Sequence, residues 1–180
     1  MGKDMPSNLR ATGRRPLRLR ARGFSLVELI VTVAIAAILA AIAVPSFRSV
    51  INANRLTSQS NDLVASLQLA RSEAIKRNAQ VSVCGSADGA TCGGGWESWL
   101  TVIESDSTVL HVGTSKAPVE VSSDVARFTF RPDGLSSTAV NSAVTFCIPT
   151  GSPADNQRTV TLTSAARVNS SRVDGGGACP

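Results

Sequence analysis

"RARGFSLVELIV", residues 20–31, decides the reading of the whole chain. Arg20, Arg22 and Gly23 run directly into an apolar segment, and inside that segment stands one acid, Glu28. From Phe24 to Val44 the only polar residues are Ser25, Glu28 and Thr32. About 20 such residues cross the hydrocarbon core of a bilayer, and few soluble helices are apolar on every side. Residues 24–44 therefore read as a membrane-spanning helix. The question is what a carboxylate does near its start.

Charge orients the span. The chain of 180 residues has a net charge of +5, but the excess is local. Residues 1–23 hold seven basic residues (Lys3, Arg10, Arg14, Arg15, Arg18, Arg20 and Arg22) and one acid, Asp4. The remainder holds 11 basic and 12 acidic residues, a net charge of −1. Basic residues flanking an apolar span stay cytoplasmic. The N-terminus is thus expected in the cytoplasm, and residues 45–180 in the periplasm of a single-pass inner-membrane protein. A basic tail can also be a nucleic-acid arm, but an apolar span directly behind it argues for a topology signal. With Pro6 and Pro16 inside it, the segment 1–23 reads as disordered or cleaved.

Beyond the span the helix is expected to continue to residue 78, with a kink at Pro45, whose ring removes a backbone donor and crowds the preceding turn. Over 45–78 the character changes. Leu56, Leu63, Leu67, Ala70 and Ala74 recur at helical spacing, with Val64 and Ile75 widening the stripe, so this half has one face to bury. Arg71, Lys76 and Arg77 suit the negative end of the helix dipole, and Asn78 suits a cap. After Asn78 the period becomes two. "AQVSVC", "VARFTF" and "RTVTLT" alternate, "ESWLTVIES" and "AVTFCI" are rich in strand formers, and "STVLHVG" is a weaker strand. Turn-rich segments separate them. The predicted fold is α+β: a long N-terminal helix on a small antiparallel sheet domain over 79–180.

Cys84, Cys92, Cys147 and Cys179 all lie beyond the span. An even count outside the cytosol reads as two disulfides. Of three possible pairings, Cys84–Cys92 with Cys147–Cys179 is favoured, since each closes a loop rich in Gly, Ser, Asp or Asn. Zinc needs closely spaced ligand pairs; here the near pair is wide and His111 is the single histidine, so no metal or cofactor is expected. Enzyme chemistry is equally unsupported. His111 has no partner by motif, and "CGGGWES" lacks the Lys-Ser or Lys-Thr of a phosphate cradle. Trp96 and Trp99 read as core anchors.

A secretory signal peptide would use 1–23 as its basic region and "AIA" at 41–43 as a cleavage site, but the apolar run is long for one and carries an acid. A plain signal anchor would have Glu28 snorkelling at the interface. "RGFSLVELIVTVAIAAILAAIAVPSF" resembles the N-terminus of type IV prepilins and type II secretion pseudopilins. The resemblance implies cleavage between Gly23 and Phe24 by a prepilin peptidase, which also methylates the new N-terminus at Phe24. It implies that Glu28 pairs with the Phe24 amine of a neighbouring subunit to set axial register. Other pilins or pseudopilins, the inner-membrane assembly platform and the lipid bilayer are the implied partners, and the protein is implied to be a substrate of an enzyme rather than one.

Over 23–179 the chain is similar to the GspH/FimT group of minor pilins and pseudopilins, on "SLQLARSEAIKRN", then "VSVC", then "GSADGATCGGGWESWLTVIE", then late strands ending in Cys. Some members bind DNA for natural transformation through a Gly-Arg-x-Arg segment. This chain has Ala166-Arg167-Val168-Asn169, with Arg172 further on. Lacking that Gly and second Arg, and with a mature charge near −1, it offers no broad basic face for nucleic acid. Assembly of a pilus or secretion pseudopilus is the expected function, DNA receipt through Arg167 and Arg172 the alternative.

Overall fold

A computed structural model describes residues 23–138, 141–163 and 165–180; the leader expected from the sequence, apart from Gly23, lies outside the described residues. The chain forms two compact units, one ending at Ala40 and one spanning Ala41–Pro180. A single helix, α1 (Leu26–Arg77, 52 residues), belongs to both and carries Pro45 inside it. In the first unit its apolar side chains are exposed, Leu26, Val27, Ile30, Val33 and Ile38 among them.

In the second unit α1 buries one stripe: Leu56, Ser60, Leu63, Leu67, Ala70 and Ala74, in alternating steps of four and three. The two buried serines bond back into the helix: Ser60 Oγ donates to the Thr57 carbonyl (3.1 Å) and Ser66 Oγ to the Asp62 carbonyl (2.9 Å). Val64 packs at the margin of the core. Ile75 does not join the stripe; it is 53% exposed and lies over Gly134, where an added Cβ would stand 2.8 Å from Ile75 Cδ1. Arg71 does not serve the helix dipole alone, since its Nη1 donates to the Ala166 carbonyl (3.2 Å). The helix ends in a Schellman motif. Asn78 takes a left-handed φ of 52°, its N–H reaches the Ile75 carbonyl, and the Ala79 N–H reaches the Ala74 carbonyl.

Eight strands follow: β1 (Val81–Gly85), β2 (Ser98–Ile103), β3 (Val109–Thr114), β4 (Glu120–Ser123), β5 (Arg127–Phe130), β6 (Ser142–Cys147), β7 (Gln157–Leu162) and β8 (Val168–Val173). They form two antiparallel four-stranded sheets rather than one, in the orders β3-β2-β1-β5 and β4-β6-β7-β8. Strands β4 and β8 are absent from the sequence reading. β4 has four residues, and β8, "VNSSRV", is a polar edge strand with no apolar alternation to betray it.

One core joins all of this. The α1 stripe meets Trp99, Phe128 and Phe130 of the first sheet and Val144, Phe146, Val160 and Leu162 of the second in a single apolar cluster. Trp99 stands edge-on to Phe146, and its Nε1 donates to Ser66 Oγ (2.9 Å), tying β2 to the helix. Trp96 stands edge-on to Phe128 and donates to the Val125 carbonyl. All five residues of β1 are buried, because the other face of its sheet is covered too: Cys84, Leu100 and Val102 form a second cluster with Cys92.

Candidate functional site

The head of α1 is built from Gly23, Phe24, Ser25 and Glu28. Ser25 starts the helix: its carbonyl accepts the Leu29 N–H (3.1 Å), and its Oγ accepts the Glu28 N–H (3.2 Å). Ser25 is therefore the N-cap and Glu28 the third helical residue, a spacing in which an acid also suits the positive end of the helix dipole. Thr32 Oγ1 donates to the Leu29 carbonyl (2.8 Å). Two of the three polar side chains of the span are thus satisfied within the helix. The Glu28 carboxylate is the third, and it has no partner among the described residues. Phe24 beside it is 76% exposed. Gly23 is not demanded by local packing, since a Cβ built there meets nothing within 4 Å.

The other singled-out residues lie in the second unit. Cys84 is bonded to Cys92 and Cys147 to Cys179. The second bond is part of a larger clasp that sequence reasoning missed. Asn156 is fully buried; its Nδ2 donates to the carbonyls of Ile148 (3.0 Å) and Ala178 (3.1 Å), and its Oδ1 accepts the Gly175 N–H (2.9 Å). Gln157 Nε2 also donates to Ala178 (3.0 Å). The segment after β8 is so held against the start of β7. Asp88 organises the loop between Cys84 and Cys92, accepting from Ala90 N, Thr91 N, Thr91 Oγ1 and Ser86 Oγ. Those bonds, led by the one from the Thr91 backbone, hold its carboxyl far below the usual range.

Arg167 and Arg172 do not act together. Arg172 stands 3.8 Å from the Asp155 carboxylate, which also faces the buried Arg158 at 3.6 Å. Arg167 stands apart beside Gln68 and Arg71. DNA receipt finds no support in this arrangement. His111 lies on β3 with Nε2 3.7 Å from Asp62 Oδ1, both partly exposed. No group of three or more His, Cys, Asp or Glu placed to hold a metal occurs among the described residues.

Comparison with known proteins agrees with this picture. The family model for the type II transport protein GspH matches residues 59–166, and the prokaryotic N-terminal methylation motif matches residues 18–44. A comparison with curated proteins finds no match. Among solved structures, the type IV minor pilin FimU of Pseudomonas aeruginosa is similar in two crystal forms. One is 22% identical, with a TM-score of 0.52, covering 64% of this chain and 87% of that one. The other is 20% identical, with a TM-score of 0.51, covering 64% and 92%. The minor pseudopilin EpsH from the type 2 secretion system of Vibrio cholerae is 12% identical, with a TM-score of 0.50, covering 66% and 97%. The fold is that of type IV pilin-like proteins, one long N-terminal helix on antiparallel sheets. With the methylation motif at its head and the matched domain behind it, the chain belongs to the type II transport protein GspH family, whose members are structural minor pilins and pseudopilins rather than enzymes.

Proposed function

We propose that this chain primes or caps a type IV pilus or type II secretion pseudopilus, as a subunit anchored by helix 24–44 with its N-terminus cytoplasmic and its β domain periplasmic. One observation carries the reading: in a span whose other polar groups are satisfied locally, the Glu28 carboxylate has no partner among the described residues. An acid at such a depth costs up to about 3 kcal/mol and normally faces a partner. Cleavage after Gly23 creates that partner class, a cationic α-amine at Phe24. An amine and an acid just over a turn apart suit a contact with the next subunit. A contact of this head-to-tail kind propagates into a filament instead of closing on itself. The open surroundings of Gly23 fit a glycine kept for a peptidase rather than for the fold. Pro45 removes one backbone donor from α1 and acts as its kink.

The test is Gly23→Val. The variant is expected to remain an uncleaved precursor, without an amine at Phe24, and to be missing from sheared filaments although Glu28 is intact. Incorporation of the uncleaved chain at the level of the native protein would overturn the reading.

A further inference from the structure

In the unit Ala41–Pro180 nearly every acid is engaged: Glu73 with Lys76 and Arg77, Glu104 with Arg127, Asp133 with Arg131, Asp155 with Arg158 and Arg172, and others with backbone N–H groups. Within that unit two acids have carboxylates with neither a hydrogen bond nor an ion pair among the described residues, Glu97 and Glu120, and both line one cleft of about 320 Å³ beside Pro180. Four cations are likewise without a partner there: Arg48, Arg55, Lys116 and Arg167. Of these, Arg55 and Lys116 line one groove of about 610 Å³, with Ser58, Gln59, Asp62 and Thr114. Asp62 is the one acid in that groove, and it faces His111.

One short stretch of chain contributes to both groove and cleft, Thr114, Lys116 and Ala117 to the groove and Val119 and Glu120 to the cleft, and hydrogen bonds hold it from two sides. Gln59 Oε1 accepts from Ser115 Oγ (2.8 Å) and from the Lys116 N–H (3.3 Å), and Gln59 Nε2 donates to the Lys116 carbonyl (3.1 Å). On the cleft side the Ser115 N–H donates to the Glu97 carbonyl (2.7 Å). Two pairs of opposite charge therefore flank one rigid wall without meeting each other. A surface with adjacent patches of opposite sign is self-complementary about a two-fold axis, and a wall ordered in advance reduces the entropy lost on docking.

We propose that a second copy of this chain docks here, Arg55 and Lys116 of each copy meeting Glu97 and Glu120 of the other. The contact is isologous, weak and salt-sensitive, since exposed charges are screened over about 8 Å at physiological salt. It does not use Glu28 or Phe24, and it stands or falls separately from the filament contact.

The test is sedimentation velocity of the full processed chain in detergent micelles, at about 20 mM and about 300 mM salt to change the screening length. The native protein is expected to dimerise at low salt and dissociate at high salt. R55E/K116E and E97K/E120K are each expected to weaken dimerisation about tenfold, because like charges then face each other. An equimolar mixture of the two variants is expected to restore it, since each reversed groove then meets a reversed cleft. A native protein that is monomeric at both salts, a variant that dimerises like the native chain, or a mixture that stays monomeric would each overturn the proposal. Filament incorporation of Glu28 variants reads the assembly role independently of all three.

Discussion

Replacing Asn156 with alanine should destabilise the unit Ala41–Pro180 by about 3 kcal/mol, three hydrogen bonds at about 1 kcal/mol each. The bonds are those from Nδ2 to the Ile148 and Ala178 carbonyls and from the Gly175 N–H to Oδ1. The loss is unevenly shared. The Ile148 carbonyl keeps the Thr150 N–H, and the Ala178 carbonyl keeps Gln157 Nε2, whereas the Gly175 N–H loses the one partner it has among the described residues. The isolated unit is a suitable sample, because every core side chain buried among the described residues lies within it. Urea denaturation can be followed by the fluorescence of Trp96 and Trp99, both buried, and the melting temperature should fall by about 9 °C at roughly 3 °C per kcal/mol. Asn156→Asp sharpens the case. Its carboxylate keeps the Gly175 N–H but faces two carbonyls in a fully buried place, so its folded pKa should lie above the unfolded value of about 3.9. Stability is then lost as pH rises through the folded pKa, and the deficit should widen between about pH 4 and pH 7. A change below about 0.5 kcal/mol in Asn156→Ala, the range of ordinary surface substitutions, would refute the clasp.

Removing the Cys147–Cys179 bond, which spans 32 residues, should cost about 3.7 kcal/mol on the chain-entropy model, against about 2.5 for Cys84–Cys92, which spans 8; denaturation of the two serine-pair variants checks the order. Leu67→Ala, at a fully buried position, should cost about 2–5 kcal/mol in the same assay. Phe47→Ala, 68% exposed, should leave stability within about 0.5 kcal/mol. The depressed pKa of Asp88 contributes stability above the unfolded carboxyl value of about 3.9, lost as pH falls below it. The acid limb of the native pH–stability curve should therefore be shallower in Asp88→Ala.

Much of this was legible in the residues because apolar periodicity reports burial. The predicted helix 24–78 is α1, Leu26–Arg77, and Leu56, Leu63, Leu67, Ala70 and Ala74 all lie in the core. The six strands anticipated from alternation or strand-forming residues are present, β1 to β3 and β5 to β7. What stayed hidden has physical reasons. β8 is held by backbone bonds to β7 and carries polar side chains at an edge, so no hydrophobic pattern marks it. The division into two sheets depends on which strands pair across long loops, as β1 does with β5, and periodicity is silent on pairing. Asn156 ends the turn-rich segment "PTGSPADN" between β6 and β7, and its role comes from a strap that meets it only in three dimensions. At the head of the helix Glu28 stood out because it is charged in an apolar run. Ser25 did not, although its spacing to Glu28 is that of a capping box.

The most direct measurement of the central claim compares Glu28→Leu with the native chain for insertion and for incorporation. Membrane fractions and sheared filaments are quantified by immunoblot from the same cells. Equal amounts in the membrane, with the variant lost from filaments, are the predicted result. A Glu28→Leu chain that enters filaments at the native level would contradict the account, because a leucine there cannot hold the amine of a neighbouring subunit.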